Sequence, residues 1–521
     1  MSRLKIKNIF NEVLSYNQSR LINLYNLDPI SETYGIGDRK FWAWKTIDFP
    51  NSTFQSGVTS LAISILKGNS YDLEFYLKLI DGIVHAIGKT SNKNFSLNES
   101  FPNENSYCVT ALVAFDVLFS IDILKDVLTP KKKDEYIKIV SPHITYLKEH
   151  EEKHAFISNH LATAAAALYF WTHLTKKDEI EYQNILNKIY SRQSSEGWYT
   201  EYEGPDIGYQ TLCTHYLSAI YLKSKNEQLG NSLKKSLRYL RYFLHPDHTI
   251  GGLYASRNTE VYYPGGICAL SEHFEDAAII ASHMKVGVKN NSNLLPQDID
   301  ADNYIPLLNS FAYASLFKEV APRANKRFYE TPNQINFEKC GIELYSNSNY
   351  FSILNYKKGG VLKIYDLKSK SCVFESGGLL INYKNKKLTT QRFNENITLD
   401  SKRSFSFPLY RYKESYPSSF HTLIIRLLSI LFFRSIAFSE LFKKAVVKLL
   451  MTNKNQTSFE VKMNLEYELN EVRLNYVLPK TLSKCHKIFD QKFKTIHMAS
   501  SGYTLKNKFV STSAIVKTKF E

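Results

Sequence analysis

Two short polar stretches, Ser158-Asn159-His160 and Glu203-Gly204-Pro205-Asp206-Ile207-Gly208-Tyr209, set an amide, an imidazole and a phenol just ahead of two apolar segments. Those segments, Leu161–Trp171 and Gln210–Lys223, have helical periodicity, so the polar side chains fall at helix starts. Backbone N–H groups are unsatisfied there and negative charge is favoured. An amide or imidazole so placed can hold a carboxylate while a phenol beside it moves a proton. Asn159, His160 and Tyr209 are therefore the candidate catalytic residues, and the chemistry they suit is that of uronic-acid polysaccharides.

Three further constellations combine aromatic rings, amides and charge, all in loops or at helix ends. One contains Trp42, Trp44 and Lys45, another Asn103 and Glu104, and the last Arg257, Asn258 and Tyr263. Aromatic faces suit flat sugar rings, and a guanidinium matches a carboxylate or sulfate with two parallel hydrogen bonds. With Glu203 and His215 these residues form the candidate substrate-binding set. Each alone has a plainer reading, since Trp pairs pack in cores and an Asn-His pair caps a helix. Their co-occurrence in loops, where sites are usually built, points to a sugar site. No paired His/Asp or Cys motif marks a metal site, and no cofactor is expected.

The elements that must position these residues are read from hydrophobic period. From about residue 54 to 320, segments with apolar residues at three- and four-residue spacing follow one another: Val58–Leu66, Asp72–Ile87, Val109–Leu124, Lys133–Leu147, Leu161–Leu174, Glu179–Tyr190, Gln210–Lys223 and Leu229–Leu244. Paired in this way they predict antiparallel helical hairpins, as in a bundle, a solenoid or an α/α toroid. Beyond a linker near Pro322–Pro332 the texture becomes short, Tyr/Ile/Val-rich runs such as Tyr350–Leu354, Val361–Tyr365 and Thr457–Leu465, which predict an antiparallel β-sandwich. The expected fold class is α+β, with residues 1–324 forming the helical domain and 325–521 the sandwich.

One segment, 420–451, interrupts the β region. Its longest charge-free run is too short to span a bilayer. Arg426, Arg434, Lys443, Lys444 and Lys448 share about half of a helical wheel, with Leu, Ile and Phe opposite. Two readings stand: a helix or hairpin docked on the sandwich, or peripheral contact with an anionic membrane.

Composition narrows the partners. The 521 residues carry 66 Lys and Arg against 50 Asp and Glu, a net +16 that attracts polyanions. No nucleic-acid-binding motif accompanies the charge, so an acidic polysaccharide or oligosaccharide is expected and nucleic acid is not. The six cysteines are dispersed and read as reduced thiols. The first ten residues lack a signal-peptide core, so a cytoplasmic protein is expected, placed at the inner membrane face if 420–451 binds lipid.

A helical half followed by a β half, with Asn159-His160 and Glu203-Gly-Pro-(x)-(x)-Gly-Tyr209, resembles the heparinase II/III family of polysaccharide lyases. The resemblance implies an α/α toroid, a β-sandwich and a cleft between them. It implies β-elimination, in which Asn159 or His160 neutralises the C5 carboxylate and Tyr209 serves as acid and base. A phenol acting as base requires nearby positive charge, which Arg257, His160 and a helix N-terminus can supply. The sequence departs from the family at Lys370–Gly378, where a β-domain His is expected and none occurs. Tyr209 alone, His215 or His160 would then complete the proton transfers. Three alternatives remain open: a uronyl C5-epimerase, a glycoside hydrolase using Glu104, Glu201, Glu203 or Asp206, and a glycan-binding protein without catalysis.

Overall fold

Helices that are apolar on every side alternate along the chain with helices apolar on one side. The computed structural model describes residues 8–70, 72–152, 155–177, 180–202, 204–320, 327–412, 418–447, 455–483, 485–488 and 515–520. Its helical half runs α1 (Ile9–Ile22), α2 (Arg39–Trp42), α3 (Val58–Lys67), α4 (Leu73–Thr90), α5 (Tyr107–Ile123), α6 (Pro130–Glu149) and α7 (Ser158–Thr175). It continues with α8 (Glu181–Arg192), α9 (Ile207–Ser224), α10 (Glu227–Arg241), α11 (Pro264–Leu270), α12 (Glu275–Lys289) and α13 (Ala301–Ser315).

The two kinds of helix sort into two rings. α5, α7 and α9 are buried along nearly their whole length, as a helix without a polar face must be. α10 buries one face, with Leu229, Leu233, Leu237, Tyr239 and Leu240 on it, and turns its charged residues to water. The inner helices touch in the order α3, α5, α7, α9, α11, α13 and back to α3, which closes the ring. A buried polar network ties the closure together. Asp116 of α5 accepts hydrogen bonds from Thr59 of α3 (2.6 Å) and Asn309 of α13 (3.1 Å), and Asn309 in turn accepts one from Ser60 (2.6 Å). The result is an α/α toroid.

The β half holds two antiparallel sheets. The first is a meander of β1 (Asn333–Phe337), β2 (Ile342–Ser346), β3 (Tyr350–Asn355), β4 (Val361–Asp366) and β5 (Ser371–Ser376). The second contains β6 (Leu380–Tyr383), β7 (Lys386–Thr389), β8 (Ser404–Tyr412), β9 (Gln456–Tyr467), β10 (Glu471–Val477), β11 (His486–Ile488) and β12 (Ile515–Lys519), in the order β11-β6-β7-β8-β9-β10-β12. Strands β2, β3 and β4 of the first sheet are buried on both faces, and the period-two alternation of strands divides their side chains. Tyr350, Leu354, Leu362 and Ile364 enter the core shared with Phe405, Phe407, Val461 and Met463 of the second sheet. Phe351, Ile353, Val361 and Tyr365 join the core of the helical half instead.

Between β8 and β9 lie α14 (Ser419–Leu431) and α15 (Ile436–Val447). This hairpin docks on the helical half, which corrects the expectation that it would rest on the sandwich. Asn103 donates to the Ser429 carbonyl (3.2 Å), Asn105 to that of Phe433 (3.0 Å), and Ser439 to that of Glu104 (2.7 Å). Phe101 packs on the rings of Phe433 and Phe442. Lys448 and the last residues of the 420–451 segment lie outside the described residues, as does part of the expected linker.

Candidate active site

Because inner and outer helices alternate in direction, the chain returns to one rim of the toroid before each inner helix begins. The stretches before α3, α5, α7, α9, α11 and α13 therefore share that rim, and the inner-helix N-termini point their positive ends at it. The rim is where the sequence-predicted residues collect.

Asp206 organises the centre. It caps α9, accepting from the Tyr209 backbone N–H (3.0 Å), and also accepts from the N–H groups of Arg257 (2.9 Å) and Thr259 (3.3 Å). One buried carboxyl thus fixes the loop before α11 against the start of α9. Gly208 permits the contact, since a Cβ there would meet Thr259 Cγ2 at 2.3 Å and the Val261 carbonyl oxygen at 2.7 Å.

That loop seats the Arg257 guanidinium over the Tyr209 ring, 3.9 Å from its centroid, with the Tyr202 ring 5.2 Å away on a second approach. Arg257 is only 7% exposed. Its Nε is buried without a hydrogen-bond partner among the described residues, and none of their carboxylates lies in ion-pair contact with it. Burial alone would favour the neutral form. The surrounding Tyr209, Tyr202, Glu201 and Asp206 outweigh it and keep the group charged. Tyr263, also buried, neighbours the same Tyr209–Arg257 pair.

Beside this cation, Glu201 is fully buried and accepts from both the backbone N–H and the side-chain amide of Asn159 (2.9 Å each). Burial raises its pKa to about 7 against the opposing pull of Arg257 and the two Asn159 hydrogen bonds. Asn159 is thereby held with its amide plane fixed. His160, one residue on, bonds through Nδ1 to Glu152 at 2.6 Å and adjoins the Cys108 sulfur. Burial opposes its charge, yet these two neighbours carry its pKa well above the ordinary imidazole value.

A cavity of about 740 Å³ opens at the same rim. Asp38, Lys40, Glu99 and Asp300 line it from the toroid, and Thr422 and Arg426 from α14. Glu99 itself is exposed to this cavity, beside the Glu104 carboxylate. Arg257, Tyr209, Asn159 and Tyr263 are not among the residues that line this cavity.

The other predicted residues are placed differently. Glu104 accepts from the N–H groups of Glu99 and Ser100, and Asn103 holds α14, so both shape the rim loop. Asn258 accepts from the Lys358 ammonium, which arrives from the turn after β3 and also bonds the carbonyls of Leu253 and Ala255. Trp42 donates its indole N–H to the Leu24 carbonyl, while Trp44 is 70% exposed and Lys45 lies in a left-handed turn. His215 is packed among Phe115, Tyr216 and Tyr313, where burial lowers its pKa to about 3 and keeps it neutral. Glu203 lies outside the described residues.

Sequence reasoning missed Tyr202, Glu152, Glu99 and Lys358. Tyr202 was within reach, because every residue between α8 and α9 must pass the rim. Glu152 and Lys358 carry no motif, and their roles depend on tertiary contacts. Among the described residues, the group with metal-ligand spacing is Asp81, His85 and Glu135, on α4 and α6. The Lys132 ammonium already occupies that group, 2.6 Å from Asp81 and 3.0 Å from Glu135.

No protein-family model matches the sequence, and no curated protein matches it. Solved structures do. Heparinase III superposes with a TM-score of 0.54 at 10% identity, over 91% of this chain and 72% of its own. The chondroitin AC lyase of Streptomyces coelicolor A3, solved with chondroitin sulphate, gives 0.54 at 8% identity, over 94% and 69%. A Paenibacillus xanthan lyase gives 0.52 at 10% identity, over 94% and 47%, so this chain spans about half its length. The likeness is one of fold. It extends through both halves, toroid and antiparallel sheets alike.

Proposed function

We propose that the protein is a polysaccharide lyase that cleaves an acidic, uronate-containing glycan by β-elimination. The observation that carries this reading is Arg257, a buried guanidinium stacked on Tyr209 whose Nε has no partner among the described residues. Among the described residues no carboxylate pairs with this cation, and a substrate carboxylate would complete it. The fold shared with heparinase III and chondroitin AC lyase supports the same substrate class.

In the proposed reaction the uronate carboxylate lies against Arg257 and the Asn159 amide that Glu201 holds in plane. Neutralising it makes the C5 proton acidic, because the charge that develops on the carboxylate oxygens is stabilised. Tyr209 removes that proton. The electrons of the C5–H bond form the C4–C5 double bond, the bond from C4 to the glycosidic oxygen breaks, and that oxygen takes a proton from Tyr209. Arg257 supplies the positive charge a phenol needs to serve as base. No β-domain His is required in this scheme, consistent with its absence from Lys370–Gly378.

The test is incubation with a panel of acidic polysaccharides in heavy water, following ultraviolet absorbance, reducing ends and deuterium uptake. An unsaturated product supports the proposal. Exchange at C5 without cleavage would make the protein an epimerase, new reducing ends without unsaturation a hydrolase, and binding alone a glycan-binding protein.

A further inference from the structure

The hairpin α14–α15 is amphipathic in the inverted sense. Toward the toroid it turns Arg426, which pairs with Asp48, the buried Ser429 and Ser439, and Lys443. Toward solvent it turns Phe420, Leu423, Leu427, Ile430 and Leu431, which recur at three- and four-residue spacing and are between 49% and 67% exposed. Phe438 and Leu441 of α15 add to them at 52% and 63%. A contiguous stripe of this kind marks an interaction surface, since a helix in a water-facing position normally presents the opposite face.

Charge decides what the stripe fits. Arg434 and Lys444 are exposed on the hairpin. Glu440, the one acidic residue between 418 and 447, is turned inward with its side chain 17% exposed. The chain as a whole carries +16. Exposed leucine, isoleucine and phenylalanine flanked by cations, with no exposed carboxylate, complement a surface that is apolar beneath and anionic above. Among the described residues no helix is long and apolar enough to cross a membrane, so the contact would be peripheral.

We propose that α14 and α15 dock this protein on an anionic lipid surface, with the apolar stripe in the headgroup region. Thr422, Ile425 and Arg426 on the other side of α14 line the 740 Å³ cavity, so docking holds the cavity mouth beside the membrane. A glycan attached to that membrane would reach the rim without diffusing through bulk solution.

The test needs no catalytic activity and stands apart from the proposed reaction. Full-length protein is sedimented with vesicles of phosphatidylcholine alone or of phosphatidylcholine with phosphatidylglycerol. Binding to the anionic vesicles and not to the neutral ones is expected. Leu423→Ser combined with Leu427→Ser, and separately Arg434→Glu combined with Lys444→Glu, should each weaken it about tenfold or more while the thermal midpoint holds. Absence of binding to anionic vesicles overturns the proposal, as does equal binding to both kinds or undiminished binding by the leucine variant. Self-association that the leucine variant abolishes, without vesicle binding, would assign the face to a second copy of the chain and overturn it as well.

Discussion

A guanidinium stacked on one phenol and close to another, as Arg257 is with Tyr209 and Tyr202, keeps its charge while losing most of its water. Two substitutions separate its partners' roles. Tyr209→Phe keeps the stacking face and removes the proton carrier, so kcat should fall about 100-fold or more with KM little changed. Arg257→Lys keeps the charge and loses the planar fork, so KM for a uronate glycan should rise about tenfold. Steady-state kinetics on the best substrate of the panel reads both. Glu201 makes a separate prediction through stability. Its pKa is 4.5 as an ordinary side chain and about 7 in the fold. Between those values the folded state binds more protons than the unfolded one, so stability falls as pH rises from about 4.5 to about 7. The fall is worth roughly 3 kcal/mol for a shift of this size. Glu201→Gln should remove that part of the slope in thermal melts. A slope identical to that of the parent protein would show that Glu201 does not titrate there.

At the level of elements, the loop before α11 is held to α9 by close backbone approach as much as by Asp206. Gly208→Ala places a methyl group against Thr259 and Val261 and should cost about 1–3 kcal/mol in denaturant unfolding. It should lower turnover further than that loss explains, because it shifts the loop that carries Arg257. Helices α3 to α10 were legible, each predicted span lying within a few residues of an observed one, because period survives in a single sequence, whereas α1, α11, α12 and α13 were given no span. The roles of polar loop residues were less so. Asn103 and Glu104 have the composition of a binding loop, yet their side chains first satisfy backbone groups of the rim and of α14, which buried polar groups require. The hairpin shows the same limit. Its amphipathic wheel was plain in the sequence, but which face meets the protein depends on the Asn105, Phe101 and Asp48 contacts that only the fold brings together.

Across the whole molecule, the β half reaches into the rim through Lys358. Its buried ammonium bonds the carbonyls of Leu253 and Ala255 and the side chain of Asn258, and Asn355 adds a bond to the Tyr254 carbonyl (2.7 Å). Lys358→Met leaves those acceptors buried and unpaired, which should lower stability by about 3–5 kcal/mol in chemical denaturation and reduce turnover with it. Nothing in the sequence singles out Lys358 among its many lysines, since its function lies in one tertiary contact. The two-faced first sheet has a related consequence. Phe337, Ile342, Leu344, Phe351 and Ile353 belong to the same apolar cluster as the toroid helices. Removing those strands would open the helical core itself to water. The toroid and the first sheet should therefore melt in one cooperative transition in calorimetry, and a fragment cut between them should fail to give either half its native melting curve.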